Sequence, residues 1–412
     1  MNQPVKKVVI VGGGAAGFFA ANMLNESYPD IEIKIIEQGK KILQKVKVSG
    51  GGRCNVTNAV IERDKLVEYY PRGWKLLRKI FSQFDHQATI KWFEEQGIAL
   101  KVEADNRMFP TTDDSQTIID GLRKVARQPN VEVITSCKVT DVDYSNDEWK
   151  IHLIDHRSIL ADAILMATGS SNFMYDLLAS KGVKIIPPVP SLFTFNIHND
   201  KRLQDLAGIA VQNTIVKIVG DKMESKGPTL ITHWGLSGPA ILKLSSWTAK
   251  KLNEVNYHFT ISVNWSNLHT DECRMQLNRI KDQNPKKNVH GHNAFDIPKR
   301  LWKKLVQQAH IDDTMTWNAL SKKHLNSLNE QLSNCQFQVD GKSTFKEEFV
   351  TCGGVSLNDV NSKTLEHKSL KNLYFAGEVL DIDAVTGGYN FQAAWTTAYV
   401  AAKAIGEQLA IY

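Results

Sequence analysis

The chain has 412 residues, 42% hydrophobic and 23% charged, with 50 Lys and Arg against 44 Asp and Glu. That length allows two or three domains, and that composition excludes a disordered or fibrous polypeptide. No apolar run approaches the ~18 residues of a membrane span, and nothing at the N-terminus reads as a signal peptide; the formal charge of +6 suits an anionic small molecule without requiring nucleic acid. The cysteines, Cys54, Cys137, Cys273, Cys335 and Cys352, are odd in number and scattered, with no C-x-x-C. That pattern points to a cytoplasmic, reducing setting and to no zinc ribbon.

Lys7–Leu24 reads as a strand, a glycine turn and a helix. Val8-Val9-Ile10-Val11 leads into Gly12-Gly13-Gly14-Ala15-Ala16-Gly17, and Gly12, Gly14 and Gly17 fit G-x-G-x-x-G. The first glycine permits the tight turn, the second lets backbone approach a pyrophosphate, and the third lets helix pack close to strand. A second strand, Ile31–Ile36, ends in Glu37, where an acid can hold a ribose 2′-OH. A dinucleotide is therefore expected here. Next comes Ser49-Gly50-Gly51-Gly52-Arg53-Cys54-Asn55. Successive glycines cost backbone entropy on ordering, so such a loop makes sense where backbone must approach a flat or phosphorylated ligand. Arg53 could pair with phosphate, and Ser49 and Asn55 could hydrogen-bond a ligand.

Lys65–Phe84 and Gln87–Gln96 are predicted helices, with their aromatics in the core. Ala99–Phe109 and Val131–Val142 are predicted strands around a helix at Ser115–Arg127. A hairpin follows at Glu148–Leu153 and Ser158–Ala161, then a buried parallel strand, Ala163–Ala167, ending in Thr168-Gly169. Pro187–Pro190 marks a boundary. Beyond it, Ser191–His198, Ala210–Val219, Thr229–His233 and Tyr257–Val263 suit a small antiparallel sheet or barrel, and a helix is predicted at Ala240–Leu252. Asn264–Gln338 is charge-rich, with helices at Asp271–Lys281, Pro298–Gln308, Thr316–Leu320 and Lys322–Cys335. His290 and His292 there lack a third metal ligand and read as solvated. The run Lys299-Arg300…Lys303-Lys304, interleaved with Leu301, Trp302 and Leu305, reads as a solvated face over an apolar underside. Strands return at Phe349–Val355 and at Asn372–Ala376. The latter ends in Gly377-Glu378…Asp381, before Gly387-Gly388-Tyr389-Asn390 opens a long helix, Phe391–Leu409.

This C-terminal segment favours FAD over a bare NAD site. A flavin needs a second set of backbone donors, and Asp381 is placed for a ribityl hydroxyl. A helix N-terminus aimed at the flavin N1–C2=O edge favours the charge gained on reduction by about 0.3–1 kcal/mol. Gly387 and Gly388 let backbone come close.

These stretches occur together in order, joined by His233-Trp-Gly-Leu-Ser-Gly-Pro239, Thr351-Cys-Gly-Gly354 and Thr386-Gly-Gly-Tyr-Asn-Phe-Gln392. In this the chain resembles, over essentially its whole length, the HI0933-like FAD-dependent oxidoreductases. The resemblance implies an α/β fold with a glutathione-reductase-like FAD-binding Rossmann domain, 1–189 and 353–412. It implies that this domain is interrupted by a β-barrel-like domain, 190–264 and 336–352, and a small helical insertion, 265–335. One departure is Ala398, where such proteins are expected to have glycine. The residues expected against FAD are Gly12, Gly14, Ala15, Ala16 and Gly17; Glu37 and Gln38; Ser49, Gly50, Gly51, Gly52, Arg53, Cys54 and Asn55; Val139, Thr168 and Gly169; and Gly377, Glu378, Asp381, Gly387, Gly388, Tyr389 and Asn390.

Members of the family act as NAD(P)H-dependent reductases of unsaturated steroid-like acids or as amine oxidases on aminoacetone. No second G-x-G-x-x-G follows a strand in Phe193–Val355. NAD(P)H is therefore expected only as a transient donor, or else the substrate is the donor and O₂ the acceptor. Cys54 reads as a packing residue because no partner cysteine is nearby in sequence. His233 is equally a general acid–base candidate and a structural histidine, and no catalytic side chain is assigned. The leading expectation is hydride transfer between NAD(P)H and a small organic substrate through flavin, with an O₂-using oxidase as the alternative. A flavin-containing RNA-modifying protein is a third reading, motivated by the positive charge and the basic helix. Nucleic acid and membrane are not the expected partners.

Overall fold

The computed structural model describes residues 5–59, 62–343 and 350–410. The chain divides into two compact units, Met1–Val189 with Lys346–Tyr412, and Pro190–Phe345.

The first unit is built on a five-stranded parallel sheet in the spatial order Leu373–Phe375, Ala163–Met166, Lys7–Val11, Glu32–Ile36, Val131–Ile134. Val8, Val9 and Ile10 are wholly buried, as expected of a strand covered on both faces. The chain starts in the middle of the sheet and proceeds to one side before returning to the other. Ligands in such folds bind at the carboxyl ends of the strands where the order reverses. The helix Ala15–Ser27 follows the first strand and packs against the C-terminal helix Tyr389–Ala410. The contact is lined by Phe19 and Trp395, whose rings lie 5.2 Å apart. Ala398, where glycine was expected, is fully buried in the second of these helices.

Three sequence predictions break here, each at an identifiable residue. Lys65–Phe84 is not one helix. Tyr70 precedes Pro71 and turns extended, and helix resumes only at Trp74–Ile80, after Gly73 at φ +81°. Ala99–Phe109 is a hairpin, Leu100–Val102 against Arg107–Pro110, turned at Asn106 with φ +64°. Val131–Val142 is interrupted at Ser136, with φ +54°. Its first half joins the parallel sheet, while Val139–Ser145 starts a three-stranded antiparallel layer. Of the predicted strand Phe349–Val355, Phe349 lies outside the described residues; Thr351–Val355 is a strand beside Ile185–Pro190.

The second unit is a closed six-stranded barrel. Its order is Thr194–Asn196, Gly235–Ser237, Glu224–Ile231, Ala210–Ile218, His258–Asn264, Cys335–Ser343, every pair antiparallel. The helix Pro239–Glu254, with proline in its first turn, packs on the barrel. The last two strands pair from His258↔Asp340 to Val263↔Cys335. The whole helical segment is thus an excursion from the end of one barrel hairpin. Its helices, Thr270–Gln283, Lys299–Gln308 and Lys322–Ser333, share one apolar core with the barrel through Leu277, Trp302, Leu328 and Phe337. Of the two histidines there, His290 is not solvated, contrary to expectation, while His292 is half-buried. His290 is buried, with Nε2 2.9 Å from the Ile311 carbonyl. His292 Nδ1 accepts from Trp317 Nε1 at 3.1 Å. Among the described residues no group of three metal-ligating side chains is found.

Candidate functional site

All the residues expected at a cofactor lie in the first unit, where they form two regions. At the carboxyl ends of the first two strands an open cleft is lined by Gly12, Glu37, Gln38, Val139 and Thr168, five of the expected residues. Val11, Ile36, Cys137, Lys138, Ser171 and Met174 complete it. The tight turn is enforced by packing: a Cβ on Gly17 would stand 2.0 Å from the Gly12 carbonyl oxygen. A Cβ on Gly14 would meet nothing within 4 Å. The helix beginning at Ala15 has no side-chain cap, so its first-turn N–H groups remain available. Glu37 is engaged from two sides, its carboxylate accepting from Gly13 N at 2.8 Å and from Gly39 N at 2.7 Å. This fixes the acid at the rim of the cleft and leaves lone pairs for hydroxyls.

The second region joins Ser49–Asn58 to the C-terminal strand and helix. The backbone leaves the helix at Ser49, and Gly50, Gly51 and Gly52 all take positive φ, +58°, +68° and +86°. A Cβ on Gly51 or Gly52 would meet nothing within 4 Å. The run is therefore glycine for its conformation, and it presents open backbone. With its amide turned as the surrounding donors require, Asn55 accepts from Gly388 N at 2.9 Å and donates to Thr57 O at 3.0 Å. Thr57 donates to Gln392 Oε1 at 2.6 Å, and Trp395 Nε1 to Val56 O at 3.0 Å. Asn58 donates to the Gly387 carbonyl at 3.0 Å, while its buried Oδ1 has no partner. Glu378 accepts from Thr351 N at 3.2 Å and pairs with Lys45, while its Oε2 stands 3.6 Å from where a Cβ on Gly169 would lie. Asp381 accepts from Gly353 N at 2.9 Å. Gly377 donates to Thr397 Oγ1 at 2.9 Å and abuts Ala16 at the head of the first helix. The C-terminal segment thus reaches the nucleotide turn directly.

Several expected contacts take a different form. The Arg53 guanidinium is held by Glu103 at 2.5 Å and Asp113 at 3.4 Å, and it lies 4.0 Å from the Phe109 ring centroid. Asn390 brackets Ala384, accepting from its N at 2.9 Å and donating to its O at 3.1 Å. Both therefore shape loops in this structure. The Tyr389 ring stacks on Tyr69 at 4.2 Å, and Tyr70 donates to the Tyr389 carbonyl at 2.6 Å. Burial, and then Tyr69, raise the Tyr389 hydroxyl well above the ordinary phenol range, so it stays protonated. Burial likewise pushes the Cys54 thiol up to about 12, which excludes a thiolate at neutral pH. Thr57 and Asn58 are not among the expected residues, and Gln392 enters only as the end of the Thr386–Gln392 motif. His233, in the second unit, is exposed on the turn before Gly235–Ser237.

A family profile described as HI0933-like protein Rossmann domain matches residues 6–404. The chain belongs to this family. It is an FAD-dependent oxidoreductase, as the expected motifs and fold imply. It is similar to the ribosomal RNA dihydrouridine synthase of Escherichia coli, with 30% identity over 407 residues and 96% of each chain covered. It is also similar to the 3-dehydro-bile acid delta(4,6)-reductase of Clostridium scindens, with 26% identity over 415 residues, covering 98% of this chain and 100% of the other. Among solved structures, the FrdA chain of E. coli quinol fumarate reductase matches with a TM-score of 0.50 and 12% identity. That match covers 100% of this chain and 71% of the other, a likeness of fold alone. No helix among the described residues is long and apolar enough to cross a membrane.

Proposed function

We propose that this protein reduces a carbon–carbon double bond conjugated to a carbonyl, and that the bond is the C5=C6 bond of a uracil in ribosomal RNA. The observation that carries this reading is the end-to-end similarity to a ribosomal RNA dihydrouridine synthase. The bile-acid relative supports the same chemistry, since its named reaction also saturates a carbon–carbon bond. Nucleic acid, which the sequence reading set aside as a partner, therefore becomes the favoured one. NAD(P)H is the proposed donor: one hydride and one proton are added across the double bond, and NAD(P)⁺ leaves.

Bound FAD would accept the hydride from the donor and pass it to carbon. The residues fit that group. The cleft at the ends of the first two strands would hold the adenosine, with Glu37 at the ribose and Val139 at the base. The open positions at Gly14, Gly51 and Gly52 suit close approach of pyrophosphate and flavin. The head of the helix Tyr389–Ala410 would stabilise negative charge at the ring, and the unpartnered Asn58 oxygen offers an acceptor for a ring N–H.

The test is to incubate the purified flavoprotein anaerobically with NADH or NADPH and ribosomal RNA lacking dihydrouridine, then to digest the RNA and weigh its nucleosides. The expected product is uridine heavier by one H₂ at a single position. Flavin bleaching without any change in RNA would reject the RNA substrate and leave the reductase. Bleaching by aminoacetone with neither nicotinamide active would reject the reductase in favour of the oxidase.

A further inference from the structure

The charge of this chain is not evenly spread. Pro190–Phe345 carries 20 Lys and Arg against 13 Asp and Glu, while the remainder carries 30 against 31. The whole positive excess therefore belongs to the barrel and helical unit, and the unit holding the cofactor motifs is nearly neutral. Within the barrel unit the excess is concentrated on the helix Lys299–Gln308. Its underside, Leu301, Trp302, Leu305 and Val306, is buried in the core, and Trp302 Nε1 is tied to Val289 O at 2.9 Å. The helix cannot roll. Its outer side presents Lys299, Arg300, Lys303 and Lys304, with Lys299 and Lys303 one turn apart and Arg300 and Lys304 one turn apart.

That arrangement opposes the helix's own stability. Like charges at i,i+4 repel. Lys299 and Arg300 also stand in the first turn, where the dipole favours acids, and no acid is there. Arg300 finds the Asp205 carbonyl oxygen. Lys299, Lys303 and Lys304 have no acidic side chain within ion-pair distance among the described residues. Charges that repel one another and the dipole, on a helix locked in orientation by its core, are relieved by a polyanion. We propose that this face is where the RNA backbone docks, with Lys299, Lys303 and Lys304 contacting phosphates; this rests on the RNA substrate proposed above. Such contacts bring affinity and register without sequence preference.

The test compares three full-length flavoproteins: wild type, K299Q/K303Q/K304Q, and a control, K91Q/K403Q, that removes cations from the neutral unit. Each is titrated against ribosomal RNA lacking dihydrouridine over a range of salt, and its KM for that RNA is measured. The expected result is unchanged flavin content and nicotinamide bleaching in all three. For the lysine variant alone, the slope of log affinity against log salt falls by about 2–3 and KM rises about tenfold or more. K299R/K303R/K304R should keep the wild-type slope, and if the glutamine variant loses flavin, the single change K303E carries the same comparison. A wild-type slope and KM in the lysine variant, with wild type modifying RNA, would overturn the docking face and leave the substrate standing. Unchanged RNA handling with lost adhesion to phosphatidylglycerol vesicles would overturn it in favour of a membrane contact. Failure of wild type itself to modify or bind RNA would remove the substrate and the docking face together.

Discussion

Substituting Gly14 separates what the nucleotide turn does for the fold from what it does for the cofactor. Gly14 sits at φ −93° and ψ −167°, an extended conformation open to any residue. A Cβ there meets nothing within 4 Å. Gly14→Ala therefore introduces no strain into the empty chain. By narrowing the unfolded ensemble it should stabilise the apoprotein by about 0.4–1 kcal/mol. The same methyl would project into the space the pyrophosphate is proposed to fill. Overpacking there costs about 1–3 kcal/mol, which corresponds to an FAD affinity weakened about 5- to 150-fold. Gly17→Ala should do the opposite. Its Cβ would stand 2.0 Å from the Gly12 carbonyl oxygen, a backbone atom that cannot swing aside. That variant should melt lower even without FAD. The assay is apoprotein melting together with FAD titration followed by flavin fluorescence. If Gly14→Ala bound FAD as tightly as wild type, the pyrophosphate would not lie against Gly14. If its apoprotein melted well below wild type, the turn geometry would be wrong.

Arg72 and Asp383 form an ion pair in which Asp383 is fully buried. Burial acts to lower the Arg72 value, but hydrogen bonding and the charge of Asp383 outweigh it and hold the guanidinium above its ordinary value. Asp383→Asn should lower the unfolding free energy in urea by about 1–3 kcal/mol, because it removes the buried carboxylate charge that the Arg72 guanidinium pairs with. Cys54, with its thiol pushed up to about 12, should resist iodoacetamide at neutral pH in the native protein and react only on unfolding. Glu26 is raised above the ordinary 4.5 mainly by burial, against hydrogen bonds from Trp92 and Gln96. Its folded form binds a proton more tightly than its unfolded form. Its contribution to stability is therefore full below about pH 4.5 and is lost as pH rises through the raised value. Glu26→Gln should flatten that fall and leave the protein at least as stable at neutral pH, as measured by melting temperature against pH.

The motifs that were legible in the sequence are those in which backbone conformation or close packing demands a particular residue. G-x-G-x-x-G could be read because only glycine fits 2.0 Å from a carbonyl. The Gly50–Gly52 run could be read because three successive positive φ values have no other economical sequence. The parallel sheet followed from apolar runs without alternation, such as Val8–Val11. Where strands were drawn too long, a single residue of positive φ had ended the element, at Asn106 and at Ser136. Asp105-Asn106 was an available turn signal at the first, and Ser136 a weaker one at the second. The barrel was harder to read for another reason. Its closing strand, Cys335–Ser343, pairs with His258–Asn264 across the whole helical excursion, and local pattern carries no trace of a partner so remote in sequence.

The expected site residues divide along the same physical line. Glycine positions were legible because their backbone conformation leaves a mark on composition. Side chains were not, because their role depends on neighbours that the sequence does not reveal. Arg53 is expected at a phosphate and is held in the structure by Glu103 and Asp113, and Asn390 is expected at the flavin and its amide brackets Ala384. Asn58 shows the converse. It is unremarkable in sequence, yet it is a buried amide with its oxygen unpartnered beside Gly387. A buried acceptor left open costs about 1–3 kcal/mol. A bound group donating to that oxygen, as the proposed flavin ring N–H would, offsets the cost.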